Sequence, residues 1–350
     1  MKGLLLVGLG AVLIATGVGL LPHPVKAGLT VTSVLSVALL VGGVAAAIMG
    51  ARSALGDRHL PGRIAGGGAT LVVILLAVSV LAPGVAATNV PATEVTRTPA
   101  ALGLDHESVT LRTADGVELA GWFVPGDNGA GVVMLHGAGS TRSAVLPQAA
   151  TLAGRGYSVL LVDSRGHGES GGEAMDFGWF GDLDVAAGNE FLASRHGVEE
   201  DRIGVVGFSM GGEEAIGAAA ATTRIRAVVA EGATARTAVD KEWLSDAYGW
   251  RGGIQQRLEA VQYGITDVLT DASPPISLRS AVAESTGTRF LLVTAGNVED
   301  EGHAASHIRS GAEERVAVWN VAGAGHTRGY ATQPDEWTRR VVSFLDRNLS

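Results

Sequence analysis

The chain reads as an α/β protein, a mostly parallel sheet flanked by helices, with three apolar helices placed before it. Residues 131–321 carry six short, mostly β-branched apolar runs, and between most of them lie helical patterns, the alternation of βαβ units. Residues 1–87 hold three long apolar runs without a charge. Near the middle, Gly207-Phe208-Ser209-Met210-Gly211 separates an apolar run from a helix-forming run, which reads as a strand, a sharp turn and a helix.

Taken in chain order, the apolar runs at 3–21, 27–49 and 69–87 come first, each long enough to cross a hydrocarbon core of about 30 Å as a helix. Met1-Lys2 offers a minimal positive start for a cleavable signal peptide. The first run is longer than an ordinary signal core and two more follow after short loops, so three anchoring spans in residues 1–87 are expected. The second loop, 50–68, carries Arg52, Arg58 and Arg63 against Asp57 alone, whereas the first carries only Lys26. The positive-inside rule puts the second loop in the cytoplasm and the large C-terminal domain outside it, as part of a multi-pass protein of the cell membrane. Residues 1–86 have a net charge of +4, which leaves −13 for the rest of a chain whose total is −9. So acidic an outer domain argues against nucleic acid as a partner and leaves the lipid bilayer and a small molecule. There is no cysteine, hence no disulfide, thiol nucleophile or cysteine-bound metal.

Residues 88–104 are polar, contain proline and lack periodicity, the pattern of a linker. A domain is then expected over 105–350. It opens with alternating runs at 108–112 and 117–124 across Asp115-Gly116, a hairpin signal. Buried parallel strands are predicted at 131–135, 158–162, 203–206, 225–230, 290–294 and 316–321.

The turn at 207–211 is where chemistry is expected. A serine at the apex of a strained strand-to-helix turn needs small residues two before and two after it, and Gly207 and Gly211 supply them. The same turn puts Ser209 at a helix N-terminus, where the amide of Met210 points toward a developing oxyanion. Acyl transfer also needs a base, an acid to orient it and a second oxyanion donor. His326, in Ala322-Gly323-Ala324-Gly325-His326, combines a late position, a preceding strand and flexible flanks, and is the candidate base. The acid is expected on the loop after 290–294, which reads Ala295-Gly296-Asn297-Val298-Glu299-Asp300-Glu301. The usual spacing falls on Glu299, a one-residue insertion selects Asp300, and Glu301 is open to a helix-start role, so all three stand as candidates. The second donor is the amide of Ala138 in His136-Gly137-Ala138-Gly139, where His136 reads as a residue that orients the loop. Asp163 and His167, in Asp163-Ser164-Arg165-Gly166-His167-Gly168-Glu169-Ser170, lack neighbouring third and fourth ligands, so a glycine-rich turn explains them without a metal.

With its hairpin, His136-Gly137 loop, Asp163 to Ser170 motif, Ser209 elbow and Gly325-His326 ending in this order, the chain over about 105–348 resembles the serine hydrolases of the α/β-hydrolase superfamily. The likeness is greatest to the esterase, monoacylglycerol-lipase and serine-aminopeptidase-like branch. The resemblance implies the α/β-hydrolase fold with an eight-stranded sheet, no cofactor, no metal and an acyl-enzyme mechanism acting on a small-molecule or lipid ester. A peptidase or an acyltransferase uses the same triad, and a non-catalytic binding module of this fold usually lacks the serine or the histidine, both present here. The family often inserts a cap where this chain has 232–285. There Trp243, Tyr248 and Trp250 are candidates for an apolar roof over an acyl chain, or for packing the cap onto the sheet. Two departures from the family pattern stand out: the acid loop holds three adjacent carboxylates, and the three N-terminal spans are not part of the fold.

Overall fold

Eight strands form one sheet in the computed structural model, which describes residues 1–56 and 59–350. They are β1 (Glu107–Arg112), β2 (Glu118–Val124), β3 (Gly131–Leu135), β4 (Ser158–Val162), β5 (Ile203–Phe208), β6 (Ile225–Glu231), β7 (Arg289–Ala295) and β8 (Val316–Val321), in the order β1-β2-β4-β3-β5-β6-β7-β8. The hairpin β1/β2 and the pair β2/β4 are antiparallel, and every other pair is parallel. Side chains alternate between the two faces because the strand period is two. Val133 and Leu135 pack under the helices Gly181–Ala193, Met210–Ala221, Leu278–Glu284 and Glu299–Arg309, while Val132 and Met134 pack under Leu146–Ala153 and Pro334–Asn348. With both faces covered, the central strands are buried throughout, which is why they read as continuous apolar runs rather than alternating ones.

The strand order reverses at β3, whose neighbours β4 and β5 are reached by crossovers running in opposite directions. Loops leaving the carboxyl ends of β3 and β5 therefore diverge and leave a crevice, the place where open α/β sheets bind ligands.

The chain divides into two units, Ala92–Gln256 with Ala272–Ser350, and Met1–Pro91 with Arg257–Asp271. The first holds the sheet and begins earlier than the expected 105, because part of the expected linker packs on it. Val95 and Leu104 lie against the core, Ser143 Oγ donates to the Arg97 carbonyl at 2.7 Å, and Thr93 Oγ1 donates to the Gly139 carbonyl at 3.2 Å. In the second unit, among the described residues, three helices are long and apolar enough to cross a membrane, at Lys2–Lys26, Val31–Leu55 and Leu60–Thr88. Lys2–Gly19 and Val31–Leu55 pack through small residues, and the buried Ser36 Oγ donates to the Gly17 carbonyl at 2.9 Å. Of the 232–285 insertion, residues 257–271 belong to this unit, with Thr266 against Gly84. Asp57 and Arg58, used above to orient the spans, lie outside the described residues.

Candidate active site

β5 runs straight into the helix Met210–Ala221 through a single residue, Ser209, whose backbone has φ 53° and ψ −121°. For a residue with a Cβ this is a strained conformation, and it is held from both sides. The Ser209 N–H donates to the Glu231 carbonyl at 2.7 Å, and the Ser209 carbonyl accepts from Gly212 N–H at 2.8 Å. The approach of strand and helix leaves no room beside the turn: a Cβ on Gly207 would lie 2.1 Å from the Gly211 carbonyl oxygen, and one on Gly211 would lie 2.6 Å from that of His136.

The loop after β8 brings His326 to this turn. Its Nε2 is 2.9 Å from Ser209 Oγ and its Nδ1 is 2.7 Å from Glu301 Oε1. A carboxylate only accepts, so Nδ1 carries the proton and Nε2 accepts from the serine hydroxyl. Glu301 is 1 % exposed, and its other oxygen accepts from the Ala295 N–H at 2.7 Å. The hydrogen bond to Glu301 raises the His326 pKa above the usual histidine value, against the opposing effect of partial burial. An imidazole bonded to a hydroxyl on one side and a buried carboxylate on the other is equipped to take the hydroxyl proton and to be stabilised once it has it.

Of the three adjacent carboxylates, only Glu301 reaches His326. Glu299 is exposed, 3.7 Å from His303 Nε2, and Asp300 accepts from the Tyr248 hydroxyl at 2.6 Å. All three lie in the first turn of Glu299–Arg309, so they leave the helix about 100° apart, and only the third faces the sheet.

The amide of Met210, first residue of its helix, and that of Ala138 make no hydrogen bond among the described residues; Met210 follows Ser209 directly, and Ala138 lines the same cleft as Ser209. The loop carrying Ala138 is held by His136, which is fully buried. The Ser164 N–H donates to His136 Nε2 at 3.1 Å, so its proton is on Nδ1, 2.8 Å from the Gly137 carbonyl. Burial and the nearby His167 push the His136 pKa down to about 3, so it stays neutral as this pairing requires. Gly139 N–H is 3.2 Å from His167 Nε2 and 3.1 Å from Asp176 Oδ1, which ties the same loop to the 163–170 motif. In that motif Asp163 accepts from the guanidinium and backbone of Arg142 and from Glu169 N–H. Asp163 is thus committed to structure, and no cluster of metal-ligating residues occurs among the described residues.

Ser209 and His326 open on a cleft of about 230 Å³, also lined by Gly137, Ala138, Ser140, Ala144, Val145, Gln148, Phe208 and Thr327. Trp243, Tyr248 and Trp250, which the sequence left open as a roof or as packing for the cap, are not part of that lining. Trp243 is buried and stacks on His303 with ring centroids 5.4 Å apart, Tyr248 is occupied by Asp300, and Trp250 is 74 % exposed. Trp243, Tyr248 and His303 pack on one another, while Trp250 meets the Arg251 guanidinium.

Sequence reasoning passed over Glu231 and Gln148. Glu231 closes β6; its carboxylate accepts from Gly329 N–H at 2.7 Å and Trp337 Nε1 at 2.9 Å, so it holds the segment that follows His326 while its carbonyl holds Ser209. A lone carboxylate ending an apolar strand was the signal available. Gln148 sits in a helix with nothing in its spacing to mark it.

The family model described as serine aminopeptidase, S33, matches residues 126–273. The esterase Pf2001 of Pyrococcus furiosus is 27% identical, with a TM-score of 0.57 over 75% of this chain and 100% of that one. Among curated proteins, an uncharacterized protein of Mycobacterium tuberculosis is 36% identical over 114 residues, and the thiohydrolase aneE of Aspergillus aculeatus 34% over 133 residues. These matches cover 32% and 35% of this chain, and the chain spans 40% of the length of each of these relatives. With its eight-stranded sheet and its elbow serine, the chain has the α/β-hydrolase fold and is similar to the serine hydrolases of that superfamily.

Proposed function

We propose that the protein is a membrane-anchored serine esterase, held by three N-terminal spans with its hydrolase domain outside the cytoplasm. The hydrogen-bonded series Ser209, His326, Glu301 is the observation that supports this most strongly. Ser209 Oγ attacks the ester carbonyl while His326 Nε2 takes its proton, and Glu301 steadies the imidazolium that results. The amides of Met210 and Ala138 bind the oxyanion. His326 then protonates the departing alcohol, and water, deprotonated by His326, releases the acid and restores Ser209.

Peptidase chemistry uses the same groups, and the matching family model carries that description. An aminopeptidase needs a carboxylate for the substrate's ammonium, whereas the residues lining the cleft include none. Esters are therefore the favoured substrates.

Labelling of the purified full-length protein in detergent with a fluorophosphonate tests the reading. Wild type is expected to label, and Ser209→Ala and His326→Ala are not. Folded wild type that stays unlabelled refutes an activated serine, and protease protection of the C-terminal domain in intact cells refutes its outward orientation.

A further inference from the structure

Residues 257–271, the end of the helix Trp243–Leu269 and the two residues after it, interrupt the chain of the sheet-bearing unit and group instead with the three apolar helices. They pack there through polar side chains. Gln262 Nε2 donates to the Ser79 carbonyl at 2.5 Å, and the fully buried Thr266 lies against Gly84, where a Cβ would stand 2.7 Å from the threonine hydroxyl oxygen. The side turned outward is apolar: Val261, Val268 and Leu269 are 51 %, 84 % and 46 % exposed. At about 100° per residue, Leu258, Val261, Ile265, Val268 and Leu269 share an arc of about 100°, with Arg257 at its edge and Glu259 and Asp267 outside it. A helix on a water-facing surface does the reverse, turning its apolar stripe to the core.

The same unit indicates what covers this stripe. Ser79 and Gly84 lie in the charge-free run 69–87 of Leu60–Thr88, a helix apolar and long enough to cross a membrane, whose Leu71, Leu75 and Leu76 are likewise exposed. A helix fastened to that run meets the medium that the run itself meets. Resting on the membrane-anchored reading above, we infer that residues 257–271 are a fourth membrane-associated segment, with Val261, Ile265 and Val268 sunk into the lipid surface. Arg257 at the edge of the stripe is placed to lay its stem along the acyl chains and its guanidinium among the headgroups. The sheet-bearing unit is then tied to the bilayer where its chain leaves at Gln256 and returns at Ala272, as well as at Ala92.

Because the chain has no cysteine, single cysteines test this in the full-length protein. Val261→Cys, Val268→Cys, Asp267→Cys and, within the third span, Leu75→Cys are each labelled with an environment-sensitive fluorophore. The proteins are placed in vesicles of equal parts phosphatidylcholine and phosphatidylglycerol, with or without a doxyl group high on the acyl chain. The labels on Val261→Cys and Val268→Cys are expected to lose about half their emission to the doxyl lipid, and that on Asp267→Cys less than about a tenth. Equal readings at all three sites, with Leu75→Cys quenched, overturn the inference and leave the anchor intact. Labels at Val261→Cys and Val268→Cys that are shielded from aqueous iodide yet untouched by the doxyl lipid also overturn it, since protein then covers the stripe. If Leu75→Cys is not quenched, the anchor and the inference fall together.

Discussion

Where Lys2–Gly19 packs on Val31–Leu55, a Cβ on Gly10 would stand 2.7 Å from the Gly43 carbonyl oxygen and 2.7 Å from the Ala47 amide nitrogen. In the sheet domain, a Cβ on Gly207 would stand 2.1 Å from the Gly211 carbonyl oxygen. Both regions use glycine to bring backbones together, yet to different ends. Along the helices the close approach recurs at Gly3, Gly10, Gly43 and Gly50, so the packing is spread over many turns. At the elbow it is concentrated in one turn that aims one hydroxyl. Loosening the helices at one glycine weakens an interface, whereas loosening the elbow moves the atom on which the chemistry depends.

The sharpest way to separate aim from packing is to remove only the hydroxyl. Ser209→Ala is expected to lower kcat for esters by about 10⁴- to 10⁶-fold with its thermal unfolding unchanged, measured on a chromogenic ester and by a melt. Next in size is Glu301→Gln, expected to cost about 10²- to 10⁴-fold in kcat, while Glu299→Gln and Asp300→Asn stay within about twofold. An equal loss in all three variants would break the assignment of Glu301.

The comparison itself is tested by paired glycine substitutions. Gly211→Ala is expected to destabilise the sheet domain by about 1–3 kcal/mol and to remove most activity, since the new Cβ meets the carbonyl of His136. Gly10→Leu is expected to weaken helix packing by a similar amount, read from thermal unfolding in detergent, with kcat/KM for a water-soluble ester retained. If Gly10→Leu abolishes turnover too, the contrast between the two uses of glycine fails.

The smallest effects are in pH dependence. His326 acts as a base only when neutral, and Glu301 raises its pKa, so the acidic limb of kcat/KM is expected above pH 6.5, moving lower in Glu301→Gln. His136 has the opposite shift. Its folded pKa of about 3 lies below the unfolded value of about 6.5, so the unfolded chain binds a proton that the folded domain does not. Stability from this group is present above pH 6.5 and is lost as pH falls toward 3. Denaturant midpoints of His136→Asn against wild type across that window check it, the variant being expected to show the shallower pH dependence.

Most of the sheet was legible because buried parallel strands must be apolar on both faces. The runs at 131–135, 158–162 and 316–321 agree with β3, β4 and β8, and those at 203–206, 225–230 and 290–294 fall one or two residues short of β5, β6 and β7. The fate of Trp243, Tyr248 and Trp250 was not legible, since an aromatic residue is equally suited to a pocket roof and to stacking on His303. Residues 92–104 read as linker for a related reason: Val95 and Leu104 are single apolar anchors in a polar stretch and produce no period.

What the sequence by itself determined is the chain order of the parts: three apolar helices, alternating strands and helices, a serine between two glycines, and a late histidine after a strand. Those features depend on neighbours in the chain, where hydrophobic period and backbone sterics act. Only the tertiary structure decided that Glu301 rather than Glu299 or Asp300 meets His326, that Glu231 braces the histidine's loop, and that Gln148 lines the cleft. Each depends on which way one side chain faces after a rotation of 100° per helical residue or a strand's last turn, and that direction is set by packing against segments far away in the chain.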